Sequence, residues 1–313
     1  MQISVSTSAK KERSPASLYS EQERVNVPRV TSARRPQLKP KLGQHFLASE
    51  DYARRIVDAV GDISQSTVLE IGPGRGILTS LLAKQARRLI AVELDRVLAA
   101  QLRLKFGMAP NVEIIEGDIL SIDFDSLFGP KPGLGRPGIE MKPQPGKVVG
   151  NLPYYITSDI LLRLFEFSKY FESLVIMVQR EVAERIASEP GGREYGMLSA
   201  TAQLYAKVEK LFTLSPGAFV PPPKVHSTVL RLTVAPKLER LGISGEAFTD
   251  FLRLSFGQKR KTLWNNLKLK YPEAQLRVAL GEASVKPSAR AETLSLEKSA
   301  AIFRALHNSR DGS

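Results

Sequence analysis

The sequence predicts an α/β protein whose mostly parallel sheet ends in an antiparallel hairpin and is followed by a small helical domain. Three observations carry that reading. Short apolar runs alternate with helical apolar spacing as far as residue 206, which is the pattern of a parallel sheet with crossover helices. A run of β-favouring residues, Val68-Leu69-Glu70-Ile71, enters the glycine cluster Gly72-Pro73-Gly74-Arg75-Gly76 and then changes to helical spacing, giving strand, tight turn and helix. After Val234 the strand signals stop, and apolar residues such as Phe248, Phe251, Leu252 and Leu254 recur at helical spacing.

Taken in order, residues 1–36 are rich in Ser, Arg, Lys and Glu without a period, and read as a disordered basic tail. Arg and Ser there suit an organelle transit peptide, but Glu12, Glu21 and Glu23 oppose one, so a bacterial cytoplasmic location is the simpler expectation. The stretch Lys39 to Leu47 then leads into a helix capped by Ser49, or folds over a ligand as a lid. Leu89 to Glu93 is a second strand, with Asp95 capping the helix Arg96–Phe106, and Val112 to Ile115 is a third. Residues 129–146 hold five glycines and five prolines and form a loop. Lys147 to Gly150 is a buried strand running into Asn151-Leu152-Pro153-Tyr154, after which Thr157 or Ser158 can cap an amphipathic helix. Ser173 to Val178 gives a fifth strand, helices follow over Arg180–Ala187 and Tyr195–Ala206, and Val208–Leu214 with Thr228–Val234 forms the hairpin. The expected organisation is therefore a tail (1–36), a catalytic domain (37–235) and a helical domain (236–313).

Composition restricts the chemistry. The chain of 313 residues is 42% apolar, enough for a sizeable core, and carries +13 with a pI near 9.9. The excess sits at the ends: residues 1–42 hold nine Lys/Arg against three Glu, and residues 251–313 hold twelve against five acids. A basic periphery around a near-neutral middle points to a polyanion, most simply nucleic acid. There is no cysteine, which excludes disulfides, thiol catalysis and Cys-ligated zinc, and the three histidines are too far apart in sequence to suggest a metal site. No apolar run approaches a membrane span.

The glycine turn lets a ligand approach the backbone closely. A dinucleotide fingerprint would need glycine at 77, where the chain has Ile77, so the turn favours a compact nucleoside without a pyrophosphate. Glu93, about twenty residues on at a strand end, suits a ribose hydroxyl pair. Asp118, at the next strand end, suits an adenine amino group. Asn151-Leu152-Pro153-Tyr154 carries the acceptor chemistry. The exocyclic amine of adenine is a poor nucleophile because its lone pair is delocalised. The Asn151 side-chain oxygen and a backbone carbonyl near Leu152 can accept its two protons and draw the nitrogen toward a tetrahedral, more nucleophilic state. Pro153 holds the turn rigid and Tyr154 offers a stacking face to a base that has left its stack. The matching electrophile is a sulfonium methyl donor, whose transfer depends on alignment rather than on a strong base.

Together, Leu42-Gly43-Gln44-His45-Phe46-Leu47, Glu70-Ile71-Gly72-Pro73-Gly74-Arg75-Gly76, Val92-Glu93-Leu94-Asp95, Gly117-Asp118, Asn151 to Tyr154, Phe219-Val220-Pro221-Pro222-Pro223-Lys224-Val225 and Phe256-Gly257-Gln258-Lys259-Arg260-Lys261-Thr262-Leu263 resemble the ribosomal RNA adenine dimethylase family, in particular its bacterial small-subunit type. The resemblance spans about residues 38–308. It implies a class I S-adenosylmethionine-dependent methyltransferase of Rossmann-like fold that dimethylates two adjacent adenosines near the 3′ end of 16S rRNA in the small subunit, without metal, membrane or oligomeric partner. It also implies cofactor contacts at His45, Leu47, Gly72, Glu93, Asp118 and Asn151, and a target amine surrounded by Asn151, Leu152, Pro153 and Tyr154. Phe219 is implied as a second aromatic wall, or else a core residue. Lys259, Arg260 and Lys261 form the expected RNA-binding cluster. Members often carry asparagine where this chain has His45. The competing readings are a sister enzyme acting on one 23S adenine, an inactive assembly factor on the same fold, and a nicotinamide oxidoreductase disfavoured by Ile77.

Overall fold

The computed structural model describes residues 44–129 and 145–308; the expected tail at 1–36 and most of the 129–146 loop lie outside them. The strands are β1 (Phe46–Leu47), β2 (Thr67–Ile71), β3 (Arg88–Glu93), β4 (Val112–Glu116), β5 (Gly146–Asn151), β6 (Phe171–Gln179), β7 (Ala206–Leu214), β8 (Phe219–Val220) and β9 (Ser227–Val234). Between them run α1 (Glu50–Val60), α2 (Ile77–Leu82), α3 (Arg96–Phe106), α4 (Phe124–Phe128), α5 (Thr157–Glu166), α6 (Arg180–Ile186) and α7 (Met197–Tyr205). The chain continues with α8 (Leu238–Leu241), α9 (Gly245–Ser255), α10 (Leu263–Leu267), α11 (Glu273–Glu282) and α12 (Leu296–Asn308).

Seven strands form one sheet in the order β4-β3-β2-β5-β6-β9-β7. The pairs among β4, β3, β2, β5 and β6 are parallel; β9 is antiparallel to both β6 and β7. The predicted hairpin is thus present, with β9 inserted between β6 and β7. Strand order reverses between β2 and β5, the position at which an open parallel sheet leaves a crevice at its carboxyl edge.

Alternation along the strands decides which residue serves which face. Leu174, Ile176 and Val178 of β6 enter one hydrophobic cluster, while Val175 and Met177 enter the other. The second face is covered by Ala53, Ile56, Val57 and Val60 of α1 and by Leu78 and Leu82 of α2. The first is covered by Ile160, Leu161, Leu164 and Phe165 of α5, whose ring stacks on Tyr205 at 5.4 Å. The helical tail begins where the strand signals end, but it shares this cluster: Phe248, Phe251 and Phe303 join the same core as Leu204, Leu230 and Leu232. The described residues lie in one compact unit.

The two central strands meet closely beside the crevice. A Cβ on Gly150 would stand 2.6 Å from the Ile71 carbonyl oxygen, so β2 and β5 approach only because residue 150 has no side chain. Gly150→Ala is expected to destabilise the fold by about 1–3 kcal/mol, read as a lower denaturant midpoint at unchanged slope.

Candidate active site at the carboxyl ends of the parallel strands

The turn after β2 uses three left-handed residues, with φ +64° at Gly72, +56° at Gly74 and +78° at Gly76. At Gly74 space is also limiting, because a Cβ would lie 2.8 Å from the Phe46 ring. The Gly74 N–H donates to Glu93 Oε2 at 3.0 Å, and the Asp95 N–H donates to Oε1 at 3.0 Å. Glu93, at the tip of β3, is 5% exposed. Burial pushes its carboxyl pKa up, against the two backbone donors, which favour the charged form. Each oxygen has used one lone pair, so acceptor capacity remains for a diol. At the tip of β4, Asp118 accepts from the Leu120 N–H at 3.0 Å, capping a short 3-10 turn, and is half-buried.

Beneath the turn lies an acid to which the sequence alone assigns no role. Glu70 in β2 is 1% exposed, and neither carboxyl oxygen has a hydrogen-bond partner among the described residues. Desolvation pushes its pKa up to about 8; the nearby Thr79 hydroxyl opposes the shift and the charge of Glu93 adds to it. The available signal was its register: an acid inside an otherwise apolar strand that is covered on both faces has no route to solvent.

The acceptor side begins at the end of β5, next to the turn: a Cβ on Gly72 would lie 3.7 Å from the Asn151 carbonyl oxygen. The Asn151 side-chain Nδ2 donates to the His45 carbonyl at 3.1 Å, while Oδ1 is buried without a partner among the described residues. The Leu152 N–H donates to the Met177 carbonyl at 3.0 Å, fixing the peptide, and the Leu152 carbonyl has no donor among the described residues. Two acceptors at adjacent residues are therefore left for a ligand.

Pro153 carries the next contact. The helix α5 has no side-chain cap: Ile156 occupies the cap position, correcting the expectation of Thr157 or Ser158. Thr157 is instead the first helical residue, and its hydroxyl donates to the Pro153 carbonyl at 2.9 Å, tying the helix back to the turn. The Tyr154 hydroxyl is 3.2 Å from Ser227 Oγ in β9, and its ring lies 27° from parallel to that of His45, with centroids 6.1 Å apart.

The lead-in segment does reach across the site, by a pairing the sequence did not indicate. The two-residue strand β1 is antiparallel to β8, with Phe46 opposite Val220 and Leu47 opposite Phe219. The His45 ring Nδ1 lies 2.7 Å from the Pro221 carbonyl. Leu47 is 8% exposed and its side chain joins the core, while the Phe46 ring packs beside Gly74 of the turn and the His45 carbonyl accepts from Asn151. Phe219 is 2% exposed and packs with Leu47, Val175 and Met177, in the core position rather than as an open wall.

Thus His45, Gly72, Glu93, Asp118 and Asn151 to Tyr154 converge on one sheet edge, whereas Lys259, Arg260 and Lys261 lie on the tail between α9 and α10. Those three are exposed. Lys259 Nζ donates to the Arg193 carbonyl at 3.4 Å, and the Arg290 guanidinium donates to the Lys259 carbonyl, so the run is anchored by its neighbours. The strand-end set fits S-adenosylmethionine: an open left-handed turn for close approach, a buried carboxylate with free acceptor capacity for the ribose, and an acid one strand further for the base.

Comparison with known proteins agrees with this geometry. The family model for ribosomal RNA adenine dimethylase matches residues 35–308. A protein named ribosomal RNA small subunit methyltransferase A from Koribacter versatilis is 56% identical over 272 residues, covering 87% of this chain and 95% of that protein. The protein of the same name from Acidobacterium capsulatum is 52% identical over 271 residues, covering 86% and 92%. Among solved structures, the 23S rRNA methyltransferase ErmE is 28% identical with TM-score 0.58, covering 84% of this chain and 99% of that one. A dimethyladenosine transferase from Plasmodium falciparum, 24% identical with TM-score 0.65 over 85% and 98%, shares the fold. With this sheet order, a family match over residues 35–308 and relatives more than half identical over most of its length, this chain belongs to the ribosomal RNA adenine dimethylases.

Proposed function

We propose that this protein transfers methyl groups from S-adenosylmethionine to the exocyclic amines of two adjacent adenosines near the 3′ end of 16S rRNA, giving N6,N6-dimethyladenosine in the small subunit. The observation that carries the reading is the buried, unpartnered Asn151 Oδ1 beside the free Leu152 carbonyl. When bound, the cofactor supplies an electrophilic methyl on a sulfonium. Glu93 holds its ribose, Asp118 its adenine, and Gly72 leaves room for the rest. His45 and Leu47 border it through their backbone.

Asn151 Oδ1 and the Leu152 carbonyl accept hydrogen bonds from the N–H groups of the target amine. That stabilises a nitrogen whose lone pair has left the ring and points at the methyl carbon. As the N–C bond forms the S–CH3 bond of the donor would break, and the one proton displaced at each transfer would leave to water. Pro153 keeps the carbonyl in place, and Tyr154, braced by Ser227, stacks on the base. For Phe219 to serve as the second wall, its ring must leave the core as the base enters.

Residues 236–313 serve as the RNA-binding part of the chain, with Lys259, Arg260 and Lys261 on phosphates. Neutralising these three is expected to weaken RNA binding and flatten its dependence on salt, since each lost phosphate contact releases about one counterion fewer. An unchanged salt slope would place the RNA surface elsewhere. We read the protein as a monomer of the cytoplasm; no helix among the described residues is long and apolar enough to cross a membrane.

The likeness to ErmE supports a second reading, methylation of one 23S adenine, but the relatives above 50% identity carry small-subunit names. Primer-extension arrest on rRNA from cells with and without the gene separates the two. Stops at two adjacent 16S adenosines that vanish with the gene support the first reading, and a 23S stop supports the second.

A further inference from the structure

The two ends of an asparagine amide have nearly the same size and opposite chemistry: the oxygen accepts and the NH2 donates. An adenine amine presents two donors, so Asn151 can hold it only with Oδ1 facing the pocket. With the amide turned over, donor would face donor.

We propose that His45 is the positioning residue that fixes this orientation, its carbonyl holding the NH2 end of Asn151 and its imidazole holding that carbonyl in place. The proposal rests on the reading of Asn151 as the group that binds the target amine. A peptide carbonyl only accepts, so the amide end 3.1 Å from the His45 oxygen must be Nδ2, which turns Oδ1 the other way, buried and without a partner. The His45 carbonyl therefore acts as a reader of amide polarity.

What holds that carbonyl is the side chain. The ladder between β1 and β8 has two residue pairs, Phe46 with Val220 and Leu47 with Phe219, and His45 lies just before it. Further on, the Ala48 N–H donates to the Ala218 carbonyl at 2.8 Å. On the other side of His45 no strand pairing continues among the described residues, and the ring supplies the contact: Nδ1 meets the Pro221 carbonyl at 2.7 Å. Because that oxygen too only accepts, Nδ1 carries the proton. The imidazole thus extends the two-residue ladder by one side-chain bond, next to the peptide whose carbonyl selects the amide orientation.

The test uses the full chain with excess enzyme on small subunits isolated from cells lacking the activity, so that a single turnover is read. His45→Phe keeps a flat ring beside Tyr154 and removes Nδ1; His45→Asn puts an amide N–H where Nδ1 stood. His45→Phe is expected to lower the single-turnover rate about tenfold, the effect of one hydrogen bond. The Kd for S-adenosylhomocysteine by calorimetry should change by less than about threefold, well short of the loss in rate, and the thermal midpoint should fall by no more than the loss of one hydrogen bond accounts for. His45→Asn should recover most of the rate.

An unchanged rate in His45→Phe overturns the proposal. So does a loss explained by weaker S-adenosylhomocysteine binding, which would make His45 a cofactor contact alone, or a folded His45→Asn that recovers nothing. Asn151→Ala run alongside separates the two levels. If it is inactive while His45→Phe is normal, only the role of His45 falls; if it turns over normally, the reading of Asn151 falls and the proposal with it.

Discussion

Asn151→Ala is expected to reduce methyl transfer by at least about a thousandfold, with the protein still folded. The magnitude follows from losing a preorganised acceptor at the reacting nitrogen, an effect of about two to three orders of magnitude for one such hydrogen bond. It grows because alanine also releases the hydrogen bond to the His45 carbonyl. Stability should change little: the side chain is half-buried and makes one hydrogen bond among the described residues. Single-turnover methylation of undermethylated small subunits gives the rate, and circular dichroism with a thermal scan gives the fold. Turnover within about tenfold of the parent would remove Asn151 from the chemistry.

The second large effect concerns pH and the buried Glu70. In the unfolded chain this carboxyl loses its proton near the ordinary 4.5, whereas in the fold it keeps it until about 8. Between those values the unfolded state binds fewer protons than the folded state, so stability falls as pH rises from about 4.5 to about 8. Its full contribution is present below the lower value and is gone above the upper one. The span corresponds to a differential effect of about 5 kcal/mol at most. Glu70→Gln cannot ionise, so it should flatten this slope and gain on the parent as pH rises. Denaturant melts of both proteins at pH 5 and pH 8.5 read the difference. Parallel losses in the two proteins between those pH values would show that Glu70 does not carry the dependence.

The sequence was most informative where one residue must do a local job. Gly72, Gly74 and Gly76 announced left-handed backbone, and all three have it. Glu93 and Asp118 were legible as acids at strand tips, because β3 and β4 could be read from apolar runs that end at them. The hairpin was legible too, but its placement was not: alternation reveals that β7 and β9 are strands without revealing that β9 pairs with β6. Thr157 misled because a hydroxyl at a helix start suits a cap equally well in sequence, and only the nearby Pro153 carbonyl made it the first helical residue.

By itself the sequence determined the α/β class, the ligand turn and the side chains available at four strand ends, since these depend on local conformation and on period-two burial. Only the tertiary structure decided how they act together. It brought residues 45–47 against residues 219–221, buried Phe219, left the Glu70 carboxyl without a hydrogen-bond partner among the described residues and gave Asn151 a carbonyl that fixes its amide orientation. The physical reason is that hydrogen bonds between residues more than a hundred positions apart, and the desolvation that gives them weight, depend on which surfaces meet when the sheet closes its two cores, and no local pattern encodes that meeting.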